Sequence, residues 1–208
     1  MQDIIQHFIE NIKLTKPLEY IAVIAGILSV WFSKKENILV YPVGLINTVA
    51  YVYLSIDQSL FGEASVNLYY TVMSFYGWWT WSKKDVSQKH VLHISYSTAR
   101  EWKNQVLFFL FFYLSIFLAL SFAKEEFSAN TVPTLDAFAS ASAFTGMWLM
   151  TRKKVESWYW WIITNITSIP LFFYKDYVLT SVYYFILLIL AIFGLMEWRK
   201  KVKQHGGH

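Results

Sequence analysis

Five stretches of this 208-residue chain run for 18 residues or more without a single Asp, Glu, Lys or Arg: 38–56, 64–82, 104–123, 157–174 and 177–196. A helix needs about 20 consecutive, mostly apolar residues to cross the hydrocarbon core of a bilayer. Backbone that crosses lipid must satisfy its own hydrogen bonds, which restricts spanning structure to helices and closed barrels. The runs therefore read as membrane-spanning helices. Two more segments, 18–33 and 134–151, carry one acid each, Glu19 and Asp136. They span when that carboxylate sits at the interface or faces protein. The expected fold class is an all-α integral membrane protein with seven transmembrane helices. Ahead of them, Ile5, Phe8, Ile9 and Ile12 fall at helical spacing between charges, which predicts an amphipathic helix over residues 1–17 lying on the membrane surface. This segment lacks the basic start and small-residue cleavage site of a signal peptide.

Charge sets the orientation. With seven spans the loops sort into two alternating sets, and fourteen of the 18 Lys and Arg residues fall in one of them. That set holds Lys34 and Lys35, the loop of residues 83–103, Arg152 to Lys154, and the tail of residues 199–208; the other holds Lys13, Lys16, Lys124 and Lys175. By the positive-inside rule the N-terminus is outside and the C-terminus cytoplasmic. A net charge of +4 spread over every second loop, instead of gathered in one patch, excludes a nucleic-acid partner.

The first and last thirds of the chain resemble each other. Trp31, Gly77 and Trp81 align with Trp148, Gly194 and Trp198 at a separation of 117 residues. Lys34, Lys35, Tyr41 and Asn47 align with Arg152, Lys153, Tyr159 and Asn165 at 118, so one small insertion and deletion joins the registers. The expected layout is a first three-helix repeat over 18–82, a linker helix over 104–123 and a second repeat over 134–198. An odd linker after an odd number of helices makes the copies parallel, with a substrate site at their interface near the bilayer midplane.

No catalytic constellation occurs. His7, His90, His93, His205 and His208 lie in the surface helix, the loop or the tail, and neither "HVLH" nor "HGGH" makes a closed metal site. Neither an enzyme activity, a cofactor nor a metal is expected. Asp136, after "TVPTL", reads as a helix-start residue, and with few charges inside the spans, movement down a gradient is the simplest expectation.

Trp158, Trp161 and Asn165 share one helix face, continued by Ser168 and Phe172. The indoles serve either as interfacial anchors or as a cage for a flat, cationic ring. An amide two turns into a span needs a partner, either another helix or a ligand. Ser181 with Tyr184, and Asn67 with Tyr70, repeat an i, i+3 spacing that supplies directional hydrogen bonds, against the alternative that the tyrosines only pack.

The series Trp158, Trp161, Asn165, Ser168, Ser181, Tyr184, Ala191, Gly194 and Trp198 resembles, without a gap, the C-terminal signature of the PnuC vitamin transporters. The resemblance implies a full-length SWEET-like fold, a homotrimer with one site per protomer, and facilitated diffusion of nicotinamide riboside, with thiamine and riboflavin carried by related branches. It implies trapping of the imported vitamin by a cytoplasmic kinase. Trp158, Trp161, Asn165 and Tyr184 then match the family's binding residues, with Asn67, Tyr70 and Asn47 carried over through the repeat and Ser181 beside Tyr184. Asp176 stands where relatives often have glycine. Two competing readings are an ion-coupled carrier of another solute, with Asp136 facing the cavity, and a membrane scaffold whose aromatics only pack.

Overall fold

A computed structural model describes residues 17–57, 61–84, 91–122, 131–175 and 177–205. The predicted amphipathic segment, apart from Pro17, and Asp176 lie outside them. Seven helices are described: α1 (Pro17–Lys34), α2 (Val40–Asp57), α3 (Phe61–Ser82), α4 (Ala99–Phe122), α5 (Pro133–Thr151), α6 (Ser157–Tyr174) and α7 (Val178–His205). By length and composition alone α1, α4 and α7 can cross a membrane. The other four are 18 to 22 residues long but dilute their apolar character with Tyr and Trp in α2, α3 and α6 and with Ser and Thr in α5. Helix α5 is the most enclosed, so its small polar residues meet protein.

Two boundaries differ from the charge-based reading. Helix α4 starts at Ala99, ahead of the charge-free run, because Thr98 caps it: Glu101 accepts from the Thr98 N–H at 2.7 Å, and the Thr98 hydroxyl accepts from the Glu101 N–H at 3.3 Å. Helix α7 continues through the basic tail to His205. Both α1 and α5 open on proline, which lacks only an N–H that a first turn leaves unpaired anyway.

Helix α1 packs on α2 and α2 on α3; α5 packs on α6 and α6 on α7; α4 lies against α5. The two triplets meet where α1 contacts α7 and α3 contacts α5. The contacts at this junction come in matched pairs at the end of the bundle that carries the basic residues. The Trp81 indole donates to the Met150 carbonyl at 3.2 Å, and the Trp198 indole to the Ser33 carbonyl at 3.0 Å. Gly77 lies against the Tyr41 ring and Gly194 against the Trp158 ring. Glu36 and Lys153 are the only non-glycine residues with positive φ among the described residues, at 60° and 51°, and their side chains pair at 2.8 Å. Every one of these pairs is separated by the 117 residues that also separate Ser33 from Met150. The sequence comparison paired Tyr41 with Tyr159; the contacts pair it with Trp158, since the ring facing the α3 glycine corresponds to the ring facing the α7 glycine. Asn47 and Asn165 are then one residue out of register.

Around the junction, Val40, Tyr41, Trp81, Met150, Val155, Trp158, Ala191 and Trp198 form a buried cluster. Outside it, Glu36 also meets Lys201 at 3.0 Å. Burial works to raise the Glu36 carboxyl, and the hydrogen bonds and charges of Lys153 and Lys201 outweigh it, holding the group below its ordinary value. The loop before α4 is fastened to the turn before α6. The Ser95 N–H donates to the Lys153 carbonyl and the Val155 N–H to the Ser95 carbonyl, at 3.2 and 3.1 Å. A chain of donors runs from the Trp160 indole to Gln105, from Gln105 to Ser97, and from Ser97 to the buried Glu156 carboxylate, at 3.2, 2.7 and 2.8 Å.

A β-carbon built at Gly194 would lie 2.5 Å from the Trp158 ring, and one at Gly77 would overlap Tyr41. Overpacking of this kind costs about 1–3 kcal/mol. Gly194→Ala and Gly77→Ala are each expected to lower the melting temperature in detergent by several degrees; an unchanged melting curve would mean that the rings move aside freely.

Candidate functional site

The spacing on α6 places Trp158, Trp161, Asn165 and Ser168 along one side of the helix, but the structure distributes them between two environments. Trp158 is 1% exposed and meets Trp198 edge to face, with ring centres 5.5 Å apart. Its indole N–H has no hydrogen-bond partner among the described residues. Trp161, one turn farther from the basic end, is half-buried and faces Tyr70 of α3, with ring centres 6.1 Å apart. No ring contact joins Trp158 to Trp161 among the described residues. Gly146 of α5 provides the room beside Trp161, where an added β-carbon would stand 3.3 Å from the indole.

Asn165 follows on the same face as Trp161. It is 2% exposed, and its Oδ1 has no partner among the described residues. One turn on, Ser168 is buried and hydrogen-bonds the Tyr184 hydroxyl. Tyr184 is held face to face with Phe172, with ring centres 5.2 Å apart and planes 11° apart. Ser181 donates to the Ile169 carbonyl at 2.9 Å. That bond ties α7 to α6 beside Pro170, whose missing N–H interrupts the helical ladder there.

From α3, Asn67 and Tyr70 approach the same region. The Asn67 amide donates to the Glu63 carbonyl of its own helix at 2.9 Å. Tyr70 contacts Tyr69 and Phe144 as well as Trp161, and its hydroxyl lies close enough to Tyr184 to interact electrostatically. Trp161, Asn165, Tyr70 and Tyr184 are thereby gathered between α3, α6 and α7. Asn47 stands apart from them. Its amide donates to the Ala22 carbonyl at 2.8 Å and it also bonds the Tyr183 hydroxyl, with Gly26 making space for both side chains. It braces α2 against α1 and α7.

Sequence reasoning passed over Tyr51, Tyr183 and Glu63, whose polar groups interact electrostatically with one another and with Tyr184. A usable signal existed for one of them. Glu63, Asn67 and Tyr70 are spaced i, i+4 and i+7, a single helix face. Asp136 accepts from the Val132 N–H at 2.7 Å and pairs with Lys175 at 2.6 Å, so both its oxygens are occupied at the start of α5.

Residues 16–200 match the family described as Nicotinamide mononucleotide transporter. The nicotinamide riboside transporter PnuC of Escherichia coli (strain K12) is 25% identical, across 91% of this chain and 87% of its own length. The nicotinamide riboside transporter PnuC of Neisseria mucosa is 28% identical, across 91% and 74%. The riboflavin/roseoflavin transporter RibM of Streptomyces davaonensis is 21% identical, across 84% and 81%. A crystal structure of the vitamin B3 transporter PnuC superposes with a TM-score of 0.71 at 25% identity, covering 97% of this chain and 89% of that one. With the family match extending over most of the chain and the fold shared nearly end to end, this chain belongs to the nicotinamide mononucleotide transporter family, to which the PnuC resemblance pointed.

Proposed function

We propose that this protein is a vitamin uniporter that carries nicotinamide riboside through the space between α3, α6 and α7. The observation that carries the reading is Asn165: a buried amide oxygen without a partner, beside a half-exposed indole and two phenols. Leaving such an acceptor unpaired costs about 1–3 kcal/mol, and a donor on a bound ligand removes that penalty. Trp161 and Tyr70 offer π-faces to a cationic pyridinium ring. Asn165 suits the carboxamide or a ribose hydroxyl, and Tyr184, with Ser168, Asn67 and Ser181 nearby, suits the remaining hydroxyls. Trp158 acts from behind, fixing the α6 backbone against Gly194, and Asn47 steadies α7 through Tyr183.

The layout we infer is seven membrane-spanning helices in two parallel triplets, α1–α3 and α5–α7, joined by α4. The matched contacts 117 residues apart support it. The basic end is cytoplasmic by the positive-inside rule. Homotrimer assembly and trapping by a cytoplasmic kinase rest on the family resemblance.

Titration of the detergent-purified protein with nicotinamide riboside is expected to quench tryptophan fluorescence saturably, with the change lost in Trp161→Phe. Asn165→Ala is expected to bind about 5- to 150-fold more weakly while melting normally, the equivalent of one buried hydrogen bond. An unaltered affinity would remove Asn165 from the site, and saturation by thiamine or riboflavin alone would reassign the substrate. Because the chain lacks cysteine, single-cysteine labelling tests the orientation. A membrane-impermeant maleimide added to intact cells is expected to label Tyr177→Cys and spare Lys200→Cys; the reverse pattern would invert the topology.

A further inference from the structure

We infer that Glu63 is the anionic anchor of the transport path, a carboxylate two turns along α3 from Tyr70 that attracts a cationic substrate and hands it down to Tyr70 and Trp161. The inference rests on the reading that the substrate ring is cationic.

The geometry begins with α3. Glu63, Asn67 and Tyr70 lie on one face, and the Asn67 amide folds back onto the Glu63 carbonyl at 2.9 Å. At 1.5 Å rise per residue, Glu63 stands about 10 Å along the helix axis from Tyr70, whose ring meets Trp161. The face is thus a descending series of carboxylate, amide, phenol and indole.

Glu63 shares the α3 face that Tyr70 presents to Trp161. It is accessible to solvent, yet its charge acts on Tyr51 of α2, Tyr70 of α3 and Tyr184 of α7. A carboxylate within electrostatic reach of groups on three helices stands beside the space that they share. Asp136 and Lys175 lie in range as well, but they neutralise each other at 2.6 Å. Among the described residues Glu63 makes no ion pair within 4 Å. A carboxylate in a helix first turn is favoured by the local dipole wherever it points. What distinguishes this one is the second feature below it: the unpartnered Asn165 oxygen, on the α6 face that also presents Trp161 to Tyr70.

Two unit charges about 10 Å apart at an effective dielectric near 20 account for an affinity difference of roughly tenfold, and screening reduces it. The test compares two ligands of one shape. Nicotinamide riboside carries a positive ring; its dihydro form keeps the ribose and carboxamide on a neutral ring. Glu63→Gln is expected to weaken binding of the cation about three- to tenfold, to leave the neutral form unchanged, and to flatten the salt dependence of cation binding. Equal loss for both ligands would overturn the proposal in favour of a steric or hydrogen-bonding role, and no loss for either would overturn it outright. Should Glu63→Gln fail to fold, the wild-type protein decides: salt must weaken the cation more than the neutral form. Wild-type protein that binds neither form would refute the substrate reading instead, and thiamine against riboflavin would then put the charge argument to the same two results.

Discussion

The arrangement depends on two indole N–H groups that cross between the helix triplets. Ser33 and Met150 lie in the last turns of α1 and α5, where carbonyls have no N–H left to accept within their own helix. Each carbonyl is met by a tryptophan from the opposite triplet. Each carbonyl also accepts a turn N–H, from Glu36 and Lys153 at 2.9 and 3.0 Å, so the crossing bond uses its second lone pair to satisfy a buried indole that would be costly to leave unpaired. Aromatic packing follows from that anchor. The Trp81 and Trp198 rings are 6.2 Å apart, Tyr41 meets Trp81 edge to face as Trp158 meets Trp198, and a glycine in each third helix admits the neighbouring ring. This cluster occupies the basic end, and Trp161 and Asn165 lie farther along α6.

Among the described residues, buried polar atoms of Tyr41, Ser142, Ser157 and Trp158 also lack a partner, while other polar groups of the bundle are consumed. Thr80 donates to the Thr151 carbonyl, Thr164 to the Trp160 carbonyl of its own helix, and Gln105 relays a hydrogen bond from Trp160 to Ser97. Asn47 and Asn165 are the informative comparison, because both are mid-helix amides on the middle helix of a triplet. Asn47 has its partners in Ala22 and Tyr183, whereas Asn165 retains an unpaired oxygen. The two amides look alike in sequence. Their hydrogen bonds separate them.

Helix positions were legible because lipid forbids charge, and a charge-free run declares itself without any alignment. The spacing of Trp161, Asn165 and Tyr184 was legible for the same kind of reason, as helical periodicity turns sequence intervals into faces. The role of Trp158 was not. Whether an indole on a site-facing stripe is cage or packing depends on the partner presented by another helix, and here Trp198 and Gly194 take it. The register between the halves was also misread by one residue in α2 and α6, because Tyr159 matches Tyr41 by residue type while the ring against the glycine is that of its neighbour Trp158. Glu63 was hidden by its position, one residue before a charge-free run begins, where an acid reads as loop.

Charge also bears on how transport is driven. An ion-coupled carrier needs a buried group whose partner changes when the ion binds, so that the free energy of the ion gradient enters the conformational cycle. Asp136 was the sequence's candidate for that role, and its geometry is that of a fixed cap: one oxygen on the Val132 N–H, the other on Lys175. Recruiting it would break an ion pair and uncap α5 at once. Glu63 offers a carboxylate without those bonds, but on a path for a cation it is satisfied by the substrate itself.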